Sequence, residues 1–124
     1  MSDEPAGPIP QASFAFSDLK GIERVVWAYS QYVQRSPASA KNMKRIQTLQ
    51  RIQKRLAVQL TADTQEVQMF LDVEELEELV YALLDFASLV KRLFPQNEER
   101  DAVIEGVNLW RLRLVHIMRE FEVS

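Results

Sequence analysis

Two acidic clusters in the second half of the chain have residue types and spacing that suit metal chemistry. Glu74, Glu75 and Glu78 form an E-E-x-x-E pattern, and Glu98 and Asp101 form an E-x-x-D pattern further along the chain. Carboxylate oxygens are the hard ligands that Mg²⁺ prefers in proteins. If two helices brought the clusters together, their carboxylates could hold this ion.

The combination of the two patterns resembles the magnesium-binding motif of the all-α nucleotide pyrophosphohydrolases of the MazG type. The resemblance implies that carboxylates from two helices hold Mg²⁺ against a nucleoside triphosphate. Both clusters, however, fall in the first turns of helices that we expect to be antiparallel, which separates them by roughly 30 Å. Because ligands of one metal ion cannot lie so far apart, we predict no metal site and no cofactor, and magnesium-dependent hydrolysis stays a minor alternative.

The single histidine, His116, is the other residue that could take part in acid–base chemistry. Arg113 precedes it by three residues and Glu120 follows it by four, which is the spacing of a polar row on a helix surface. A catalytic dyad would need a nucleophile and a group that stabilises an oxyanion, and the sequence suggests neither. We therefore predict that the protein is not an enzyme.

A run of basic residues in the middle of the chain is the strongest charge asymmetry of the sequence. No acidic residue occurs between Glu23 and Asp63, and the basic side chains fall opposite the apolar residues of a predicted helix. Such a surface could bind nucleic acid or an acidic protein. The net charge of -3 argues against a protein whose main task is to coat nucleic acid. We favour a solvated helix face whose arginines lie beside the acidic start of the next helix. The candidate basic surface consists of Lys41, Lys44, Arg45, Arg51, Lys54 and Arg55.

Four stretches of the chain have apolar residues at alternating three- and four-residue spacing, which keeps them on one side of an α-helix. Each stripe must be buried against a partner, and four amphipathic helices can bury one another in a bundle. We therefore predict the all-α class and an antiparallel four-helix bundle. The stripes are Leu19, Ile22, Val26, Tyr29 and Val33; Ile46, Leu49, Gln53, Leu56 and Leu60; Leu76, Leu79, Leu83, Phe86, Val90 and Leu93; and Val103, Val107, Trp110, Leu114, Ile117 and Phe121.

Local signals give the ends of these helices. The clearest is the start of the third, where Asp72 and Glu75 form a capping box and Leu71 and Leu76 form a hydrophobic staple. Residues 61–71 break the helical periodicity, so we predict a partly ordered connector whose conformation, extended or helical, stays open. The predicted helices span about 18–34, 37–60, 73–94 and 98–121.

Capping residues support the other three helix starts. Ser17 can cap the first helix, Ser36 or Ser39 the second, and Asn97 the fourth. These residue types accept hydrogen bonds from the free backbone N–H groups of a first helical turn. We therefore expect each helix to begin at or just after its cap.

The composition fits one small domain. With 124 residues the chain can bury a core without disulfides, and it has no cysteine to form them. The beginning is rich in proline and acidic residues, so we predict a flexible tail at residues 1–13 and a single helical domain at 14–124. No signal peptide is evident, and charges interrupt every apolar stretch, so we expect a cytoplasmic protein without a membrane segment.

Several large apolar residues lie outside the four stripes. A four-helix monomer would leave some of them exposed, and exposed apolar patches often mark interaction surfaces. Alternatively, Ile9, Phe14, Phe16 and the segment 67–71 cover them. We predict a non-enzymatic interaction module that forms a homodimer and can present a surface to another protein. The candidate interface residues are Leu84, Leu89, Leu109, Leu112, Val115 and Trp27.

Overall fold

The computed structural model describes Pro10, residues 12–62 and residues 64–123. Residues 1–9 and 11 of the predicted tail, including Ile9, lie outside the described residues. The predicted all-α class is confirmed in its main feature, because helices make up most of the described chain. None of these helices is long and apolar enough to cross a membrane. The elements are β1 (Ala12–Ala15), α1 (Phe16–Gln34), α2 (Ala40–Gln59), β2 (Glu66–Met69), α3 (Val73–Leu93) and α4 (Glu98–Val123).

The predicted apolar stripes of α1 and α3 supply a large part of the core, and residues of α2, α4 and both strands complete it. All five stripe residues of α1 are buried, and four of the six in α3 are buried with them. Burying one large aliphatic side chain contributes roughly 1.5–3 kcal/mol, so each of these residues adds to the stability of the fold. At the other extreme Leu93, the last residue of α3, is mostly exposed and does not extend the core.

A two-stranded antiparallel sheet closes one side of the core. Phe14 of β1 lies opposite Val67 of β2, and both side chains are buried. The open question about the connector is thereby answered in part, because residues 66–69 are extended. Ala12 and Ser13, which the sequence placed in the flexible tail, belong to β1.

Side-chain caps lie at the starts of α2, α3 and α4. The predicted caps of α3 and α4 are present, and of the two offered for α2 the structure has Ser39, so α2 begins at Ala40 and not at the predicted residue 37. At α3, Asp72 Oδ1 accepts the backbone N–H of Glu75 at 2.8 Å, and Glu75 Oε1 accepts the backbone N–H of Asp72 at 3.0 Å. Ser39 and Asn97 likewise accept a first-turn backbone N–H, at 3.1 and 2.8 Å. These bonds satisfy donors that a helix start would otherwise leave without an intrahelical partner.

The predicted cap of α1 is wrong. Ser17 lies inside the helix, which begins at Phe16 directly after the strand, and the N-cap residue Ala15 makes no side-chain cap bond. The backbone N–H of Phe16 instead donates to the carbonyl oxygen of Gln65 at 2.8 Å. A backbone acceptor from the loop before β2 therefore replaces a side-chain cap, which a local sequence signal cannot reveal.

Candidate interaction surface

Among the described residues, Glu75 is the most deeply buried charged residue, and it joins α3 to α2. Its side chain is fully buried, and Arg51 Nε and Arg55 Nε approach its Oε2 at 3.1 and 2.8 Å. A buried carboxylate requires such opposite charges, because it has lost its contact with water. The favoured prediction placed these arginines beside the start of α3, and the structure has that contact.

A second polar cluster joins α1, α2 and α3 around Arg45. Its guanidinium donates from Nε to Glu78 at 3.1 Å and from Nη2 to the Tyr29 hydroxyl at 2.7 Å. The same group lies 4.6 Å from the centre of the Tyr81 ring, a cation–π distance. The Tyr29 hydroxyl in turn donates to Asp85 at 2.5 Å. One side chain from α2 therefore connects to both neighbouring helices.

The electrostatics of this cluster keep the Tyr29 hydroxyl protonated. Burial raises the pKa of Tyr29 well above its ordinary value, and the hydrogen bond to Asp85 raises it further, while Arg45 acts in the opposite direction. A protonated phenol is a hydrogen-bond donor and a poor nucleophile. The arrangement therefore suits a structural connection between helices.

Acidic residues of the E-E-x-x-E and E-x-x-D patterns have other contacts in the structure. Glu75 and Glu78 are each bound to arginine, and Asp101 lies 3.3 Å from Arg100 Nη2. Within the described residues, no group of three or more His, Asp or Glu side chains is placed to hold a metal ion. The carboxylates of α3 instead serve to bind the arginines of α2.

The predicted basic surface divides into two parts. Its three arginines meet carboxylates of α3, whereas Lys41, Lys44 and Lys54 are exposed and form no side-chain ion pair within the described part of the chain. Lys41 and Lys44 line an open groove of about 380 Å³, with Glu74 and Glu77 among the residues of the opposite wall. Among the described residues, the basic side chains of α2 without an ion pair are therefore its lysines.

Two anchors attach α4 to the first part of the chain. The Trp110 ring lies against Gly21 of α1 so closely that a Cβ at that position would be 2.8 Å from its Cζ2, and its Nε1 donates to Asp18 at 3.3 Å. Arg113 lies over the Phe14 ring, 4.0 Å from its centre, and donates to a backbone carbonyl of β1. Otherwise α4 packs mainly on α3.

The opposite side of α4 is open. Leu109 and Leu112 are 61% and 55% exposed, and they lie in a row with Glu105 and His116 at spacings of four, three and four residues. We call these four residues the outer stripe. His116 Nε2 lies 3.0 Å from Glu120, so this part of the predicted polar row is confirmed, whereas Arg113 contacts β1 instead. The outer stripe is thus apolar in its middle and polar at both ends.

The other predicted interface residues have different environments. Leu84 and Trp27 are exposed on α3 and α1, and Val115 is half-buried on α4. Leu89, also a candidate interface residue, is only 6% exposed and belongs to the core of this chain. Several elements pack on α3, which therefore has a buried arc wider than one stripe.

Sequence reasoning missed the polar cluster around Tyr29 and the close packing of the Trp110 ring against Gly21. A signal for the first exists, because Tyr29 brings a hydroxyl onto a core stripe and Asp85 brings a charge into the most apolar helix, and buried polar groups need partners. The contact between Gly21 and Trp110 has no such signal, because a glycine in one helix and a tryptophan in another are compatible with many helix arrangements. Tertiary contact alone joins Gly21 to Trp110.

Comparison with protein-family models, with curated proteins and with solved structures found no match to this chain. A function must therefore be argued from the residues and their geometry. The two features that carry such an argument are the outer stripe of α4 and the free lysines of α2.

Proposed function

We propose that the protein is a non-enzymatic interaction module of the cytoplasm, a homodimer of antiparallel four-helix bundles that associates through α4. The observation that carries the proposal is the exposure of Leu109 and Leu112, which lie one turn apart on the outer side of α4. Large apolar side chains that stay more than half exposed favour association, because association removes their surface from water. A two-fold pairing needs only one such surface, since the same patch serves both copies.

The use of the polar groups supports a binding role in preference to catalysis. Three arginines of α2 form ion pairs with carboxylates of α3, so their charges join the two helices. They are Arg45, Arg51 and Arg55. The Tyr29 hydroxyl is buried, stays protonated and binds Asp85. The groups with the most perturbed surroundings thus have structural partners, in contrast to the poised acids and bases of an active site.

The free lysines of α2 support a second candidate, which is binding of nucleic acid or of an acidic protein. Lys41 and Lys44 line an open groove, and Lys54 is exposed on the same helix. Binding to phosphates would weaken steeply with salt, because each contact releases counterions. Submicromolar binding of RNA or DNA at about 0.15 M salt, abolished by charge reversal of these three lysines, would favour this candidate.

Sedimentation of the wild type and of Leu112→Glu tests the proposed homodimer. At micromolar concentration the wild type should have twice the 14.4 kDa mass of one chain. Leu112→Glu should sediment as a monomer with unchanged helical circular dichroism, because the charge would be buried in the dimer but solvated in the monomer.

The matched control for this test is Met43→Glu. Met43 is 57% exposed on α2, so this variant introduces the same charge at an equally exposed apolar position on another helix. We expect it to remain dimeric. A monomeric wild type would refute the proposal, and dimers of both variants would refute the role of α4.

A further inference from the structure

The charges of the chain are divided unequally between its two halves. Residues 12–62 include nine basic and two acidic residues, whereas residues 64–123 include six basic and thirteen acidic residues. The two acidic residues of the first segment, Asp18 and Glu23, are partly buried, so no carboxylate of residues 12–62 is exposed. The net charge of -3 therefore conceals a basic surface on the part of the molecule formed by α1 and α2.

One line of residues on α1 joins this positive charge to an exposed aromatic ring. Lys20, Arg24, Trp27, Gln31 and Gln34 follow one another at spacings of four, three, four and three residues, which keeps them on one side of the helix. We call these five residues the tryptophan stripe. It lies opposite the buried stripe of α1, and the Trp27 side chain is more than half exposed.

Both carboxylates of α1 have hydrogen-bond partners on other helices. Asp18 accepts the indole N–H of Trp110, so it lies on the side of α1 that faces α4. Glu23 is partly buried and accepts a hydrogen bond from the side-chain amide of Gln53 on α2 at 3.5 Å. These carboxylates lie beside the tryptophan stripe and contact neighbouring helices. The stripe itself consists of basic and neutral side chains.

The basic residues of the tryptophan stripe are not neutralised by the described part of the chain. Neither Lys20 nor Arg24 forms an ion pair there, and the nearest ring to Lys20 Nζ is that of Phe16, at 5.8 Å from its centre. Both side chains are exposed, and Arg24 precedes Trp27 by three residues. Two cations and an indole ring therefore lie within about 10 Å along the helix.

We infer that the tryptophan stripe binds single-stranded nucleic acid. Lys20 and Arg24 pair with phosphates, a base stacks on Trp27, and the two glutamine amides hydrogen-bond to bases or sugars. Cations beside a flat aromatic surface match a ligand in which phosphates alternate with flat bases. The inference does not depend on the proposed homodimer, which uses α4. It adds a stacking residue, on a different helix, to the second candidate function.

The composition of the stripe favours nucleic acid over an anionic membrane or an acidic peptide. A helix that lies in a lipid interface buries several apolar side chains of one face among the lipids. The tryptophan stripe has one such side chain, and the apolar face of α1 is already buried in the core. An acidic peptide would pair with Lys20 and Arg24 and leave the indole ring without a stacking partner.

The exposed indole also favours a single strand over a duplex. Bases of a duplex are stacked on one another, whereas an unpaired base can leave its neighbours and lie on an aromatic ring. Electrostatics alone would instead favour the duplex, because its charge density is higher. We therefore expect a lower Kd for a single strand than for a duplex of the same length.

Fluorescence anisotropy with a labelled polythymidine strand of about 12 nucleotides tests the stacking. Trp27→Ala should raise the Kd on the order of tenfold, because one base loses its aromatic partner. Trp27→Phe keeps a ring and should lie nearer the wild type. The matched control is Phe94→Ala, which removes an exposed aromatic ring at the end of α3 and should leave the Kd unchanged. Circular dichroism checks that each variant is folded.

The salt dependence of the Kd tests the phosphate contacts. The double variant Lys20→Ala with Arg24→Ala should bind more weakly, and its slope of log K against log salt concentration should be smaller by about 1.4, or roughly 0.7 per lost contact. The double variant Lys91→Ala with Arg92→Ala is the matched control, because it removes two exposed positive charges from α3. We expect it to keep the wild-type slope.

Several outcomes would overturn the inference. One is the absence of binding to the single strand at about 50 mM salt, and another is an equal loss of affinity in the control variants, which would show general attraction between charges. Binding to phosphatidylserine vesicles or to polyglutamate that requires Trp27, without binding to the oligonucleotide, would assign the stripe to another partner. Binding that requires the α2 lysines and is unaffected by Trp27→Ala would leave only the second candidate function.

Discussion

The contact between α2 and α3 and the outer stripe of α4 use charged residues in opposite ways. Between α2 and α3, arginines meet carboxylates of the neighbouring helix, and one of these carboxylates, Glu75, is fully buried. On the outer stripe, Glu105 and His116 are exposed and flank two exposed leucines. Charges of the first region are paired between neighbouring helices, whereas on the outer stripe His116 contacts only Glu120 of its own helix and Glu105 has no ion pair within the described residues.

This difference separates charge that builds the fold from charge that can recognise a partner. A carboxylate that is buried and paired is costly to disturb, because removal of one partner leaves the other charge without compensation. An exposed charge contributes little to the stability of its own chain and can still set the orientation of a second chain. Mutations in the two regions should therefore affect stability and association separately.

The largest expected effect is that of Glu75→Ala on folding. The change removes the partner of Arg51 and Arg55 and one half of the capping box, so the free energy of unfolding should fall by about 3–5 kcal/mol. Because Arg51 is partly exposed, we expect the lower end of this range. Urea unfolding at neutral pH measures the loss.

Glu74→Ala and Glu75→Gln are the controls for that prediction. Glu74 is exposed beside Glu75, and its removal should change the free energy of unfolding by less than about 0.5 kcal/mol. The glutamine keeps the capping acceptor and loses only the charge, so it should lie between the wild type and Glu75→Ala. Equal stability of all four proteins would show that the buried ion pair does not hold the helices.

An intermediate effect on stability is expected at Gly21, where the Trp110 ring packs against α1. Gly21→Ala places a Cβ against the indole ring, so the free energy of unfolding should fall by about 1–3 kcal/mol. Gly106→Ala is the matched control, because its Cβ would meet nothing within 4 Å and alanine favours a helix by roughly 0.5–1 kcal/mol. Thermal unfolding should thus move in opposite directions for the two variants, and a stabilised Gly21→Ala would contradict the close packing of α4 on α1.

The smallest expected effect concerns the alkaline limit of stability. The pKa of Tyr29 is raised in the folded protein above the unfolded tyrosine value of about 10, so the folded state favours the protonated hydroxyl. This contribution is complete below pH 10 and is lost as the pH rises further, by at most about 1.4 kcal/mol per pH unit. Tyr29→Phe cannot titrate there. Its unfolding free energy should therefore fall less steeply between pH 10 and 11.5 than that of the wild type, and parallel curves would contradict the prediction.

The sequence predicts most of the helical architecture because the signals involved are local. The stripe of α1 and the capping box of Asp72 and Glu75 depend on residues within a few positions of one another. The short sheet escapes prediction for the opposite reason. Strands of four residues carry too little periodicity, and Phe14 meets Val67 only through the tertiary fold.

The sequence identifies the apolar residues that lie outside the stripes, but it does not show which of them are exposed. Leu109 and Leu112 are exposed as the stripe of α4 indicates, because only one side of this helix packs on the rest of the chain. Leu89 lies about 90° from the centre of its stripe, closer than Leu109 and Leu112 lie to theirs, and it is buried because several elements pack on α3. Exposure outside a stripe depends on how many neighbours a helix has, and the sequence of one helix does not contain that number.

The pairing of β1 with β2 has a consequence for the order of folding events. Ser13 donates its hydroxyl to Gln68, across 55 positions of sequence, and α1 and α2 lie within the loop that this contact closes. Closing such a loop has a larger entropic cost than forming a helical turn, and ordering the intervening helices first reduces that cost. We therefore expect β1 to pair with β2 after α1 and α2 have formed, so slow hydrogen exchange of the β1 amides should develop last during refolding.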